Sequence, residues 1–302
     1  MAARQRAITY CFTMEYCVGF FNTLPEGCVS TILSLTSPPD ACKSSLVSSI
    51  FRAAAESDVV WERFLPADYH DILSRLAEPL VVSSKKELFL RLCDPSLIDG
   101  GNKRFRLDKW SGKNSYMLSA RELSISWSHD PMCWSWTSIP ESRFSEVAEL
   151  KTVCRLEIRG KIRTQMLSPN TKYGAYLIIK ISNRAFGLDL MPSEISVEVS
   201  NSTQVCNGTA YLRCSDSKNK QMETLLYGNR REMLRSRVIE GDGRVPCERR
   251  DGDGWMELEL GDFFNGEGDE EVKMSLREVK GYHLKGGLII EGIEVRPKDS
   301  RK

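Results

Sequence analysis

No spacing in this chain suits a metal ion. None of its ten cysteines stands in a C-x-x-C pair, and its three histidines, His70, His129 and His283, are scattered. Neither a metal nor a cofactor is expected. Long hydrophobic runs are also missing: Tyr176–Ile179 is among the longest, far short of the roughly 20 residues that span a bilayer. A net charge of +1 gives no general reason to expect nucleic acid or an anionic membrane as partner. Without paired cysteines the chain reads as a protein of a reducing compartment, with Cys154 and Cys214 as small buried residues. The sequons at Asn201 and Asn207 then read as surface loop. The first residues, MAARQRAITYCFTMEYCVGFF, are interrupted by Glu15 and lack a clean small-residue cleavage site. A signal or transit peptide is thus weighed below an unstructured leader over 1–19, and the expected location is cytoplasm and nucleus.

What the chain does have is room for about two domains in 302 residues, with ordinary apolar (41%) and charged (27%) fractions. Residues 23–64 hold the clearest helical signal. Thr23, Pro25 and Glu26 make a capping-box start with proline in the first turn. Val29, Ile32 and Leu33 follow at helical spacing, and Ser37-Pro38-Pro39 interrupts them. A second helix is expected near Asp40, then a stripe of Val47, Ile50, Phe51 and Ala54, with Trp61 closing the unit. About 40 residues with no staple cannot build a self-sufficient core. The unit is either a small helical cap on a larger domain or a docking module whose leftover apolar surface wants a partner. Ser84 and Glu87 form a second capping box ahead of Leu88, Phe89, Leu92 and Cys93, a helix expected to bridge two domains.

From about residue 112 the period changes to two. Leu156 and Ile158 alternate with Glu157 and Arg159; Ile195, Val197 and Val199, then Met256, Leu258 and Leu260, do the same. Tyr176–Ile181 is apolar on both faces and should be central; Val272–Leu276 and Leu288–Val295 complete the set. Seven or more short strands indicate an antiparallel sandwich, with one short helix around Phe144 and Val147. Residues 228–254, with Arg230, Arg231, Arg235 and Arg237, read as a solvated loop more readily than as a phosphate-binding or nuclear-transport patch.

Three of the six tryptophans, Trp127, Trp134 and Trp136, fall within ten residues around Ser128-His129-Asp130-Pro131. Aromatic faces suit the C–H face of a pyranose; tryptophans also plug sandwich cores. Both readings stand at this point. Glu257 and Glu259 share a strand face, but no acid pair can be placed across a cleft, so glycoside hydrolysis is not favoured.

The order Leu24-Pro25-Glu26, Ile32-Leu33, Asp40-Ala41, Leu46-Val47, Phe51-Arg52 and Val60-Trp61 resembles an F-box. That resemblance implies docking to a Skp-type linker of a cullin ubiquitin ligase through Leu24, Pro25, Ile32, Leu33, Leu46, Val47 and Phe51. The blocks ELSISWSHDPMCWSWTSIPESRF, VCRLEIRGKI, TKYGAYLIIKI, GDGWMELELGDFFN and GLIIEGIEVRP resemble the phloem protein 2 family, the Nictaba-related lectins. This implies a jelly-roll-like sandwich binding N-acetylglucosamine oligomers or N-glycans, and carries sugar-binding roles onto Trp127, Trp134, Glu271 and Glu278. Met132-Cys133 replaces the Gln-Tyr usual before the second tryptophan. Glu271 and Glu278 are seven apart, so on one straight strand they lie about 23 Å apart on opposite faces unless a bulge intervenes. The fold class is therefore α+β in several domains: leader 1–19, helical F-box 20–66, helical bridge 67–111 and antiparallel lectin-like sandwich 112–298. The expected role is a non-catalytic substrate-recognition subunit; the rival is a phloem-type lectin with an idle F-box.

Overall fold

The computed structural model describes residues 24–212, 243–249 and 252–298. The leader, Thr23, Cys214 and the arginines of 230–237 lie outside the described residues. The chain forms two compact units and passes between them repeatedly. Of the described residues, the helical unit takes those up to Ser74, then Pro79–Pro95 and Leu107–Lys113; the β unit takes Arg75–Glu78, Ser96–Arg106 and those from Asn114 on.

In the helical unit, α1 (Glu26–Ser34) starts behind Pro25, which caps it without a side-chain hydrogen bond. α2 (Pro38–Ser44) begins on the prolines rather than after them. A proline there lacks only an N–H that a helix start leaves unbonded. Ser37 completes the start by accepting from the Asp40 N–H at 3.3 Å and donating to its carboxylate at 2.7 Å. Ser48 caps α3 (Ser49–Glu56), so Val47 precedes that helix instead of sharing its stripe. α4 (Asp58–Phe64), α5 (Tyr69–Ser74) and α6 (Lys85–Cys93) follow. Trp61 is fully buried, as are Val29, Leu33, Ala54 and Leu92, and its indole N–H donates to the Ala55 carbonyl at 2.7 Å. The Phe89 ring of α6 stands 5.3 Å from Trp61. The sequence reads α6 as a bridge; it belongs instead to the helical unit, where Phe89 and Leu92 are buried. Its cap also differs in detail. Ser84 accepts from the Glu87 N–H, while the Glu87 carboxylate turns to the N–H and hydroxyl of Ser83.

The β unit contains a nine-stranded and a five-stranded sheet. The first runs β1 (Ser96–Ile98), β2 (Lys103–Leu107), β3 (Asn114–Ser119), β14 (Gly286–Pro297), β8 (Thr171–Phe186), β12 (Met256–Asn265), β11 (Cys247–Glu248). In addition, β6 (Val147–Leu150) pairs with β14 and with β5 (Trp134–Thr137). The second runs β10 (Val205–Ala210), β9 (Ser193–Val199), β13 (Glu271–Glu278), β7 (Leu156–Arg163), β4 (Ser124–Ile125). The pairings along β8, β13 and β14 are antiparallel. β8 lies between β14 and β12, the central place its two-faced apolar pattern calls for.

Leu156, Ile158 and Ile162 of β7 point inward, with Glu157, Arg159 and Lys161 outward. At Gly160 the two sheets pack closely. A Cβ there would lie 2.8 Å from Ile293 Cδ1 of the opposing sheet and 3.1 Å from Leu123 Cδ2, so any larger residue would have to displace those side chains. Four expectations need correction. The sheet begins at Ser96, not at 112, because β1 and β2 form its edge. No helix forms near Phe144: Val147 opens β6, and Phe144 packs with Met117, Ile178 and Trp255. Cys154 is exposed, since it lies just before β7 and outside its alternation, and Asn207 sits within β10 rather than a loop.

Candidate binding surfaces

On the helical unit, the residues that the F-box resemblance names divide by face. α1 turns Val29 and Leu33, four apart, into the core, while Ile32 and Leu35, three apart, remain outside. Leu46, 81% exposed, and Val47 stand uncovered in the turn before α3. Pro25 is exposed, and Leu24 and Phe51 are half-buried. Leu33, at 2% exposure, is spent on the core and not free to meet a partner, contrary to the expectation. Leu35, which the sequence analysis does not name, is 73% exposed one turn beyond Ile32, just past the helix end.

The tryptophan cluster also divides. Trp134 opens β5 with its ring buried, 2% exposed, and Trp136 is half-buried beneath the Arg121 guanidinium, 3.6 Å from its ring centre. Trp127 is 58% exposed. The two inner tryptophans hold the loop that carries it. The Trp134 indole N–H donates to the Ser126 carbonyl at 3.0 Å and the Trp136 indole N–H to the Ser128 carbonyl at 3.2 Å. Trp127 itself has φ +65°, a left-handed conformation that costs a bulky residue about 1–3 kcal/mol and persists only where the surroundings impose it. Asp130 tightens the same loop by accepting the Met132 N–H at 2.8 Å. Among the three tryptophans, Trp127 alone offers an open ring face. Trp134, buried, has no face free to stack on a ligand in this arrangement, contrary to the expectation; it braces the loop that carries Trp127.

Glu271 and Glu278 occupy the two ends of β13, which pairs with β7 and β9 without a register shift. No bulge brings them together. Glu271 faces outward beside Lys161 at 3.3 Å. Glu278 faces inward, buried, in an ion pair with buried Lys285, and accepts the Gly281 N–H at 2.9 Å. Burial pulls the Lys285 ammonium below its usual range. Glu278 lies at the Trp127 end of the sandwich: Leu156 pairs with it on one side, and β4 ends beside β7 just before Trp127 on the other.

Several other acids are held in ion pairs. Glu257 bonds Arg296 and Glu259 bonds Lys298 on one outward sheet face. Burial raises Glu294, but Arg249, Arg296 and Arg106 outweigh it and hold its carboxyl below the usual range. Glu291, fully buried, is pushed up by burial despite bonds from the Arg143 backbone and guanidinium. In these networks each of the four carboxylates is bonded to a basic side chain. Among the described residues, no group of three or more His, Cys, Asp or Glu is placed to hold a metal.

Comparison with known families matches both units. The F-box domain matches residues 21–63 and the phloem protein 2 domain residues 113–297. In Arabidopsis thaliana, F-box protein PP2-B13 is 54% identical over 278 residues, 91% of this chain and 98% of that one. F-box protein PP2-B15 is 53% identical (91% and 96% covered) and F-box protein VBF 52% identical (91% and 99%). The chain therefore belongs to the phloem protein 2 family, among the members that carry an F-box domain.

Proposed function

We propose that this protein is the substrate-recognition subunit of a Skp–cullin-type ubiquitin ligase, and that its β-sandwich recognises glycans on the substrate. The observation that carries the first half is the division of α1. The helix spends Val29 and Leu33 on its own core yet leaves Ile32 and Leu35 outside, with Leu46 and Val47 uncovered nearby. Such residues gain by burial against a partner, at about 25 cal/mol per Å² of apolar surface. An F-box domain, by its family, is a docking element for a Skp-type linker. The protein would perform no chemistry itself; it would raise the effective concentration of substrate beside the ubiquitin-loaded enzyme, in cytoplasm or nucleus.

For the second half, Trp127 offers the aromatic platform that an N-acetylglucosamine oligomer or N-glycan core requires, held out by Trp134 and Trp136. The test is reconstitution. Purified chain, Skp-type subunit and cullin should co-elute as one complex, and a glycan array on the same chain should show N-acetylglucosamine-containing ligands that Trp127→Ala loses. Glycan binding without co-elution would leave a lectin with an idle F-box; co-elution without glycan binding would leave a ligase that reads protein surfaces.

A further inference from the structure

One end of the sandwich is unlike the other. There β4 and β13 end, β7 and β14 begin, and β8 ends opposite the start of β14. The loops at this end expose Trp127, Met132, Phe186, Met191, Tyr282 and Leu284; the opposite end exposes Val205 and Phe264 among the described residues. Tyr282, 91% exposed, projects from the 279–285 loop between β13 and β14.

That loop is not loose. Glu278 accepts the Gly281 N–H and pairs with Lys285 at the loop's other end. Lys285 donates to the Cys154 carbonyl at 2.6 Å and the His283 carbonyl at 3.2 Å. The His283 ring shares a 3.1 Å hydrogen bond with the Gly187 carbonyl. Burying an ammonium and a carboxylate is a poor way to gain stability. Its effect here is to fix a seven-residue loop against two neighbouring segments while leaving Tyr282 in water. Trp134 and Trp136 do the same for Trp127 a few strands away. Two separate internal braces at one end each present one exposed, amphipathic aromatic ring. Aromatic rings supply large contact area with few rotors to freeze.

Resting on the glycan reading above, we propose that Tyr282 is a second ligand-contacting aromatic of the sugar site. In this arrangement Glu278 and Lys285 are positioning residues that act through Tyr282, and Glu278 is not itself a sugar ligand. The ligand class is an uncharged, N-acetylated pyranose oligomer, long enough to meet rings on two loops. Each ring takes a C–H face, and the tyrosine hydroxyl bonds a sugar oxygen.

The experiment titrates the full chain with the N-acetylglucosamine trimer and pentamer. Tyr282→Ala should weaken the pentamer about tenfold or more with an unchanged thermal midpoint, and Tyr282→Trp should restore it. Glu278→Ala should weaken binding too, and adding it to Tyr282→Ala should cost nothing further, since its effect runs through that ring. Should Glu278→Ala fail to fold, the Tyr282 pair of variants decides alone. If wild type binds and Trp127→Ala weakens it while Tyr282→Ala does not, this inference is overturned and the glycan reading stands. If Glu278→Ala adds its own loss to Tyr282→Ala, Glu278 touches sugar and the positioning role is wrong. If wild type binds neither oligomer, the glycan reading falls and takes this inference with it.

Discussion

Replacing Trp134 with alanine asks whether that ring is a ligand platform or a structural plug, and the magnitude follows from where it lies. The side chain is 2% exposed, and its indole N–H is bonded to the Ser126 carbonyl at 3.0 Å. Truncating a buried tryptophan costs about 3–5 kcal/mol, from lost transfer energy and the cavity left behind. For a cooperative unit of the β unit's size, about 1 kcal/mol moves the thermal midpoint by roughly 2–4 °C. Trp134→Ala should therefore lower the midpoint by roughly 6–20 °C in calorimetry. Trp127→Ala, removing an exposed ring, should stay within about 0.5 kcal/mol of wild type, or gain slightly if a residue with φ +65° is relieved. Trp134→Phe keeps most of the volume and isolates the indole hydrogen bond, worth about 1 kcal/mol. A Trp134→Ala protein as stable as Trp127→Ala would refute the plug assignment, and with it the idea that Trp134 holds Trp127 in place.

Other consequences are equally concrete. The Asp99 carboxyl is held down to about 2 by the Arg75 guanidinium, which bonds both its oxygens, with Lys103 adding to the effect. Its stabilisation is complete above the ordinary aspartate value of about 3.9 and fades as pH falls through about 2; Arg75→Leu should move the NMR titration of Asp99 back up. Removing Glu278 leaves the Lys285 ammonium buried without its partner, so Glu278→Ala should cost about 3–5 kcal/mol in denaturant unfolding, whereas Glu271→Ala, at the surface, should cost less than about 1 kcal/mol. A fragment starting at 112 loses β1 and β2 with buried Ile98 and Phe105, the latter 5.1 Å from the Tyr116 ring. It should melt well below one starting at Ser96.

The parts of the fold that were legible were those with a local period. Leu156 through Ile162, Ile195 through Val199 and Met256 through Leu260 announce their strands because one face is dry and the other wet. The seven-residue spacing of Glu271 and Glu278 likewise told their separation, since β13 is straight. What was illegible depended on distant partners. β1 and β2 are short and separated by a 3-10 turn at Asp99–Gly101, so no alternation accumulates to reveal them. Nothing local says that α6 belongs with Trp61, or that the chain returns to the helical unit for Leu107–Lys113. The tryptophan cluster was visible, with both Trp127 and Trp134 as candidates, but which of the two rings lies inside is decided by the partners of β5, not by spacing. Tyr282 carried no signal beyond an aromatic between Gly281 and His283.

The central claim is that the apolar residues outside the helical core dock a Skp-type subunit. The direct measurement is a calorimetric titration of purified Skp-type subunit into wild type and into a triple variant, Ile32→Ser, Leu46→Ser and Val47→Ser. All three side chains are exposed, so the variant should keep its circular dichroism and thermal midpoint. Anchors at such an interface are worth about 2 kcal/mol or more each, so wild type should bind and the variant's affinity should fall by about four orders of magnitude or beyond detection, about 6 kcal/mol for the three. Equal affinity of the two proteins, or no binding by wild type, would contradict the account.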